Sequence, residues 1–134
     1  RSLESISEIL HTANSREEML EMLKAVTRDT QSMQMMSTRM QRIGAISKSS
    51  NHPRMQKALG EEQERLTEAI ADIYSKACDK GWGNKNIDPR TVGVFIQAYT
   101  VGKAVDDFTP NHMSEENWFF LINEILSKVL LAGA

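Results

Sequence analysis

Histidines, clustered carboxylates and the lone cysteine are the residues from which this chain would have to build catalysis or a metal site. His11, His52 and His112 are scattered, two of them in polar loops, and none has another ligand type at zinc spacing. Glu61, Glu62 and Glu64 crowd one stretch, but a carboxylate-bridged di-iron bundle needs Glu-x-x-His pairs that they lack, so a solvated helix face is expected. Asp106-Asp107 falls at a helix end, where contact with solvent or capping of a neighbour is expected. Cys78 lies near the end of a long helical stretch with no histidine nearby, and is expected to act as a small buried hydrophobe. There is no GxSxG, no phosphate-binding glycine loop and no HExxH. The sequence therefore carries no enzyme signature, and no catalytic residue, metal or cofactor is expected.

Binding chemistry is better represented. Eight methionines occur in 134 residues, and Met33, Met35, Met36, Met40 and Met55 all fall between the second and fourth helical stretches. Flexible thioethers suit either ordinary core packing or a cavity that adapts to an apolar ligand. Gln63 stands between Leu59 and Leu66 where the stripe calls for an apolar residue, Arg39 lies beside the Met36–Met40 line, and Tyr74 and Tyr99 place hydroxyls on apolar faces. A mostly apolar pocket with a few polar handles is the usual construction of a small-molecule site. Helix phase assigns such a pocket to Met36, Arg39, Met40, Gln63, Leu66, Ile70, Tyr74, Phe95 and Tyr99. The plain alternative leaves Gln63 solvated at a helix edge and the tyrosine tips pointing outward.

The elements that must position these residues are helices throughout. Leu3, Ile6, Leu10 and Ala13 recur at helical spacing over residues 2–13. Ser15 and Glu18 form a capping box that opens a second helix with Met19, Leu23, Val26 and Thr30 on one face. The polar run 29–32 either breaks this helix or lies within it, so residues 16–49 form one helix or two. A line of Met33, Met36, Met40, Ile43 and Ser47 precedes the loop 49–53, and the longest helix follows with Met55, Leu59, Leu66, Ile70, Ile73 and Ala77 in period. Gly81 supplies the left-handed stop that a helix end favours. No stretch alternates like a strand, and a single all-α domain of five or six helices over residues 1–134 is expected.

Residues 88–132 read as a helical hairpin. Pro89 suits a first helical turn, Thr109-Pro110-Asn111 break the pattern, and Ser114 with Glu115 and Glu116 restarts it. Each of the two helices carries two apolar stripes, where a surface helix of a small domain carries one. In the first, Val92, Phe95, Ile96 and Tyr99 form one stripe and Val94, Ala98, Val101 and Val105 the other. In the second, Trp118, Ile122, Ile125 and Val129 form one, with Phe119, Leu126 and Leu130 beside it. Burial on two sides points to a second copy of the chain, with Val94, Ala98, Val101, Val105, Trp118, Ile122, Ile125 and Val129 at the interface of a homodimer. The alternative is the central hairpin of a monomeric bundle.

Composition bounds the function. The chain is 40% hydrophobic and 25% charged with a formal net charge of −2. Lys48, Arg54 and Lys57 flank a loop, but no dense basic stripe provides the phosphate contacts that nucleic-acid binding rests on. No run approaches the ~18 apolar residues of a membrane span. One cysteine rules out an intramolecular disulfide framework and suits a cytoplasmic location. A start at Arg1 inside a helical pattern suggests a processed product or an excised fragment.

Three stretches resemble the C-terminal ligand-binding and dimerisation domain of the TetR family of bacterial transcriptional regulators. These are Ser15-Arg16-Glu17-Glu18-Met19-Leu20, then Asn51-His52-Pro53-Arg54-Met55 with the long helix ending at Lys80-Gly81-Trp82, then Asp88-Pro89-Arg90 through Asp106-Asp107-Phe108 with Trp118 and the leucine-rich end. The resemblance spans residues 15–132 and rests on the order and lengths of the helices more than on single residues. It implies a four-helix dimer interface from the last two helices of each subunit and a cavity among the preceding helices for a small, largely apolar effector. It further implies operator DNA as a partner only through an N-terminal helix-turn-helix, which is not among these 134 residues. The reading from a different class is a stand-alone helical interaction module that binds neither ligand nor DNA.

Overall fold

The computed structural model describes residues 7, 8 and 10–133. Its helices are α1 (Arg16–Gln31), α2 (Met36–Ser49), α3 (Pro53–Asp79), α4 (Pro89–Gly102), the four-residue α5 (Ala104–Asp107) and α6 (Glu115–Ile125). Ser7, Glu8, Leu10 and His11 are also helical, and no strand occurs among the described residues. Leu3 and Ile6 of the first expected helix lie outside the described residues.

Local chemistry explains the boundaries. The Ser15 hydroxyl accepts from the Glu18 N–H at 3.1 Å. The Glu18 carboxylate reaches back one residue further than a capping box requires and accepts from the Asn14 N–H at 2.7 Å. Asp88 caps α4 through the Thr91 N–H at 2.9 Å, with Pro89 in the first turn. Pro53 opens α3 in the same way, and Gly81 follows that helix with φ +82°.

The open question over residues 16–49 resolves as two helices. Ser32 is extended, and a 3₁₀ turn over Met33–Met35 precedes α2. The penultimate helix also breaks, at Lys103, before α5. The last helix passes into a π turn over Leu126–Leu130, in which the Leu131 N–H donates to the Leu126 carbonyl at 2.8 Å.

The core lies between α1, α3, α4, α6 and the chain end. Met19, Ile73, Ala77 and Leu131 form one cluster with Leu10 and Ala13, and Tyr74, Cys78, Val92, Ile122, Leu126 and Leu130 form the adjoining one. Gly93 permits α3 and α4 to touch, because a Cβ there would stand 2.7 Å from the Thr67 carbonyl oxygen. The chain end is held by Arg16, whose Nε donates to the Leu131 carbonyl at 2.5 Å and whose Nη2 donates to the Ser127 carbonyl at 2.6 Å. A cation at the carbonyl end of a helix is favourably placed.

Candidate ligand cavity

A cavity of about 320 Å³ opens inside this helical frame, within the range typical of small-molecule sites. Met19, Leu23, Val26, Thr27 and Thr30 of α1 form one wall, and Leu66, Ile70, Ile73, Tyr74 and Ala77 of α3 face them. Helix α4 contributes Val92, Ile96, Gln97, Tyr99, Thr100 and Val101. Leu10, Leu126, Leu130 and Leu131 complete the carbon surface, and Arg42 is the contribution of α2.

Most polar groups at these walls are already committed. Thr27, Thr30 and Thr100 each donate to the carbonyl four residues earlier, at 2.9, 2.9 and 2.7 Å, so their protons are spent on their own helices. The buried Gln31 donates to Thr100 Oγ1 at 2.7 Å and accepts from the Trp118 indole at 3.0 Å, tying α1 to α4 and α6. Gln97 donates to Thr67 Oγ1 at 2.8 Å and to the Gly93 carbonyl at 3.0 Å. Its Oε1 accepts from the Gln63 amide, and Gln63 Oε1 in turn accepts from Arg42. A polar relay thus runs from α4 through α3 to α2.

The two tyrosines differ. The Tyr74 hydroxyl lies 2.9 Å from the carbonyls of both Asn84 and Leu130, and burial pushes its pKa up to about 12. Tyr99 packs edge-on against Phe95 and Trp118, with centroids 5.3 and 6.3 Å away. Burial raises it to about 12 as well. Its hydroxyl makes no hydrogen bond among the described residues.

Of the residues that helix phase assigns to a pocket, Leu66, Ile70, Tyr74 and Tyr99 line the cavity. Gln63 sits one turn beyond, in the relay, and Phe95 stands outside against Tyr99. Met36, Arg39 and Met40 are not in the lining, because α2 reaches the cavity only through Arg42. Arg39 is instead turned to Asp107 and buried with it. The α1 face of Met19, Leu23, Val26 and Thr30, visible as a stripe in the sequence, forms a wall that the phase argument did not assign.

The residues assigned to an interface also divide. Val94 and Ala98 are exposed on α4, Val105 is 79% exposed on α5, and Val129 is exposed beyond α6. Val101 instead lines the cavity. Ile122 is only 3% exposed and lies in the chain's own core, with Ile125 and Trp118 packed against the same cluster. The outward apolar residues of α6 are Phe120 and Leu121, at 65% and 52%. Both α6 stripes of the sequence turn largely inward, with Phe119, Ile122, Leu126 and Leu130 buried, and Phe120 and Leu121 belong to neither stripe.

Cys78 is buried, and desolvation pushes its thiol up, away from the reactive thiolate. No cluster of three or more potential metal ligands, and no helix long and apolar enough to cross a membrane, occurs among the described residues. No family model, no curated protein and no solved structure matches the chain.

Proposed function

We propose that this chain is the effector-sensing and dimerisation domain of a TetR-type transcriptional regulator, acting on operator DNA through a helix-turn-helix outside these residues. The observation that carries the reading is the double role of α4. Tyr99, Thr100 and Val101 line the apolar cavity, while Val94 and Ala98 on the same helix, and Val105 on the following α5, face outward. Apolar side chains also face outward on α6, at Phe120 and Leu121. A ligand that fills the cavity better in one arrangement of α4 than in another shifts the population of the two, and a partner packed on α4 responds. The reading assigns no catalytic group; the chemistry is differential binding.

Sedimentation equilibrium at micromolar concentration tests it. A dimer is expected, and Phe120→Glu or Val94→Glu should convert it to a folded monomer, because an unpaired charge would be buried at the interface. A native chain that is monomeric throughout would remove the reading and favour a stand-alone interaction module.

A further inference from the structure

Arg42 is the single formally charged side chain in the lining of the cavity. It makes no ion pair among the described residues; its hydrogen bond runs from Nη2 to the neutral Gln63 Oε1, leaving Nε and Nη1 free. Arg39, three residues earlier on the same helix, provides the contrast. There Nε and Nη2 grip both oxygens of Asp107, and Nη1 donates to the Ser32 carbonyl. A guanidinium beside hydrocarbon, with donors free and no counter-charge, favours an anion with a planar pair of acceptors.

From this arrangement we propose that the cavity takes an amphipathic monocarboxylate, its carboxylate on Arg42 and its hydrocarbon chain along α3. The inference rests on the effector-binding reading above. Arg42 meets α3 at Gln63, one turn before Leu66, so it stands at one end of the lined span. The far end is marked by Ala77, eleven residues past Leu66 and therefore about 16 Å along the helix. Between these ends the α3 wall is Leu66, Ile70, Ile73 and Tyr74, and the Tyr74 hydroxyl is occupied by backbone carbonyls.

The relay orients the anchor. Gln97 Nε2 is fixed by Thr67 and Gly93, which turns its Oε1 to the Gln63 amide and so turns Gln63 Oε1 to Arg42. A second charge on the ligand would face carbon and a neutral phenol, at a high desolvation cost. The occupant is thus a monoanion with an apolar tail, and a dianion or a cation is disfavoured.

Calorimetry with decanoate and 1-decanol, which share a tail and differ in the head, tests the proposal on the dimeric protein. Decanoate is expected to bind roughly tenfold or more tightly than decanol, the difference carried by charge-assisted hydrogen bonds. Arg42→Gln should bring the ratio of the two affinities towards one, Arg42→Lys should restore part of it, and thermal melting establishes that both variants are folded. Ile70→Trp, which fills the cavity, should weaken both ligands together. Equal binding of the two ligands, or a ratio that survives Arg42→Gln, overturns the carboxylate assignment and leaves the cavity as an effector site. Binding of neither ligand to the native protein overturns the assignment too, and a monomer in sedimentation sinks the effector-domain reading itself.

Discussion

Arg39 and Asp107 meet as a two-pronged pair, Nε to Oδ2 at 2.8 Å and Nη2 to Oδ1 at 2.9 Å, with side chains only 4% and 1% exposed. Lys103 joins from one helical turn away, its Nζ 3.3 Å from Asp107 Oδ1. The cluster ties α2 to the short α5. Asp107 neutralises two cations, so Asp107→Ala should cost more than Arg39→Ala, each on the order of 3–5 kcal/mol in urea unfolding. Equal or negligible losses would mean that the cluster is solvated in solution.

The same pair predicts an acid limb. The Arg39 guanidinium holds the Asp107 carboxyl below the usual carboxylate range, against the opposing effect of burial and with help from Lys103. A depressed folded-state pKa gives stability that is present above the unfolded value of about 3.9 and is lost as pH falls through the folded value. Arg39→Met should therefore flatten the stability profile below about pH 4 relative to the native chain. An unchanged slope in that window would assign the acid limb to other carboxylates.

The tyrosines act at the other extreme. Both Tyr74 and Tyr99 are raised to about 12 by burial, so phenolate absorbance should stay flat through pH 10 in the folded protein. The unfolded chain ionises near the ordinary value of about 10. Stability is thus complete below about pH 10 and declines as pH rises towards the folded value. Absorbance titration alongside circular dichroism checks this, and a phenolate signal near pH 10 without loss of helix would contradict it.

Gly93→Ala should push α3 from α4, since the new methyl would meet the Thr67 carbonyl at 2.7 Å with backbone on the far side of the clash. A loss of about 1–3 kcal/mol is expected, as for other overpacked contacts. A melting temperature equal to the native one would show that the helices can separate freely.

Ile122→Glu and Leu121→Glu, adjacent on α6, should behave differently. The first places a charge in the chain's own core and should unfold it, while the second leaves circular dichroism intact and alters association alone. Two folded variants would place Ile122 outside the core.

The helices were readable because their ends carry chemistry that acts locally: Ser15, Asp88 and Ser114 as caps, Pro53 and Pro89 in first turns, Gly81 past an end. The direction each helix faces was less readable. On α6 nearly the whole circumference is apolar, so period alone does not say which side faces out. Both stripes, through Ile122, Phe119, Leu126 and Leu130, are kept inside, while Phe120 and Leu121, in neither stripe, face out. On α2 the methionines suggested the pocket, yet the helix presents Arg42 to it, a residue without any distinguishing pattern in the sequence. Arg39 stands beside the methionines in the sequence, but its partner is Asp107, 68 residues on, a pairing that no local spacing reveals.

The π turn at Leu126–Leu130 has one residue more per loop of chain than an α turn, so Leu131 takes the bonding position over Leu126 that Leu130 would otherwise hold. Both leucines are consequently packed inside, 6% and 1% exposed. The end of the chain is therefore sensitive to count rather than to composition. Exchanging the exposed Lys128 for another polar residue leaves the phase intact. Deleting it would make the Leu131–Leu126 bond an ordinary α-helical one and leave the later side chains in place, whereas inserting a residue would advance them by one place and carry the Leu131 carbonyl away from Arg16.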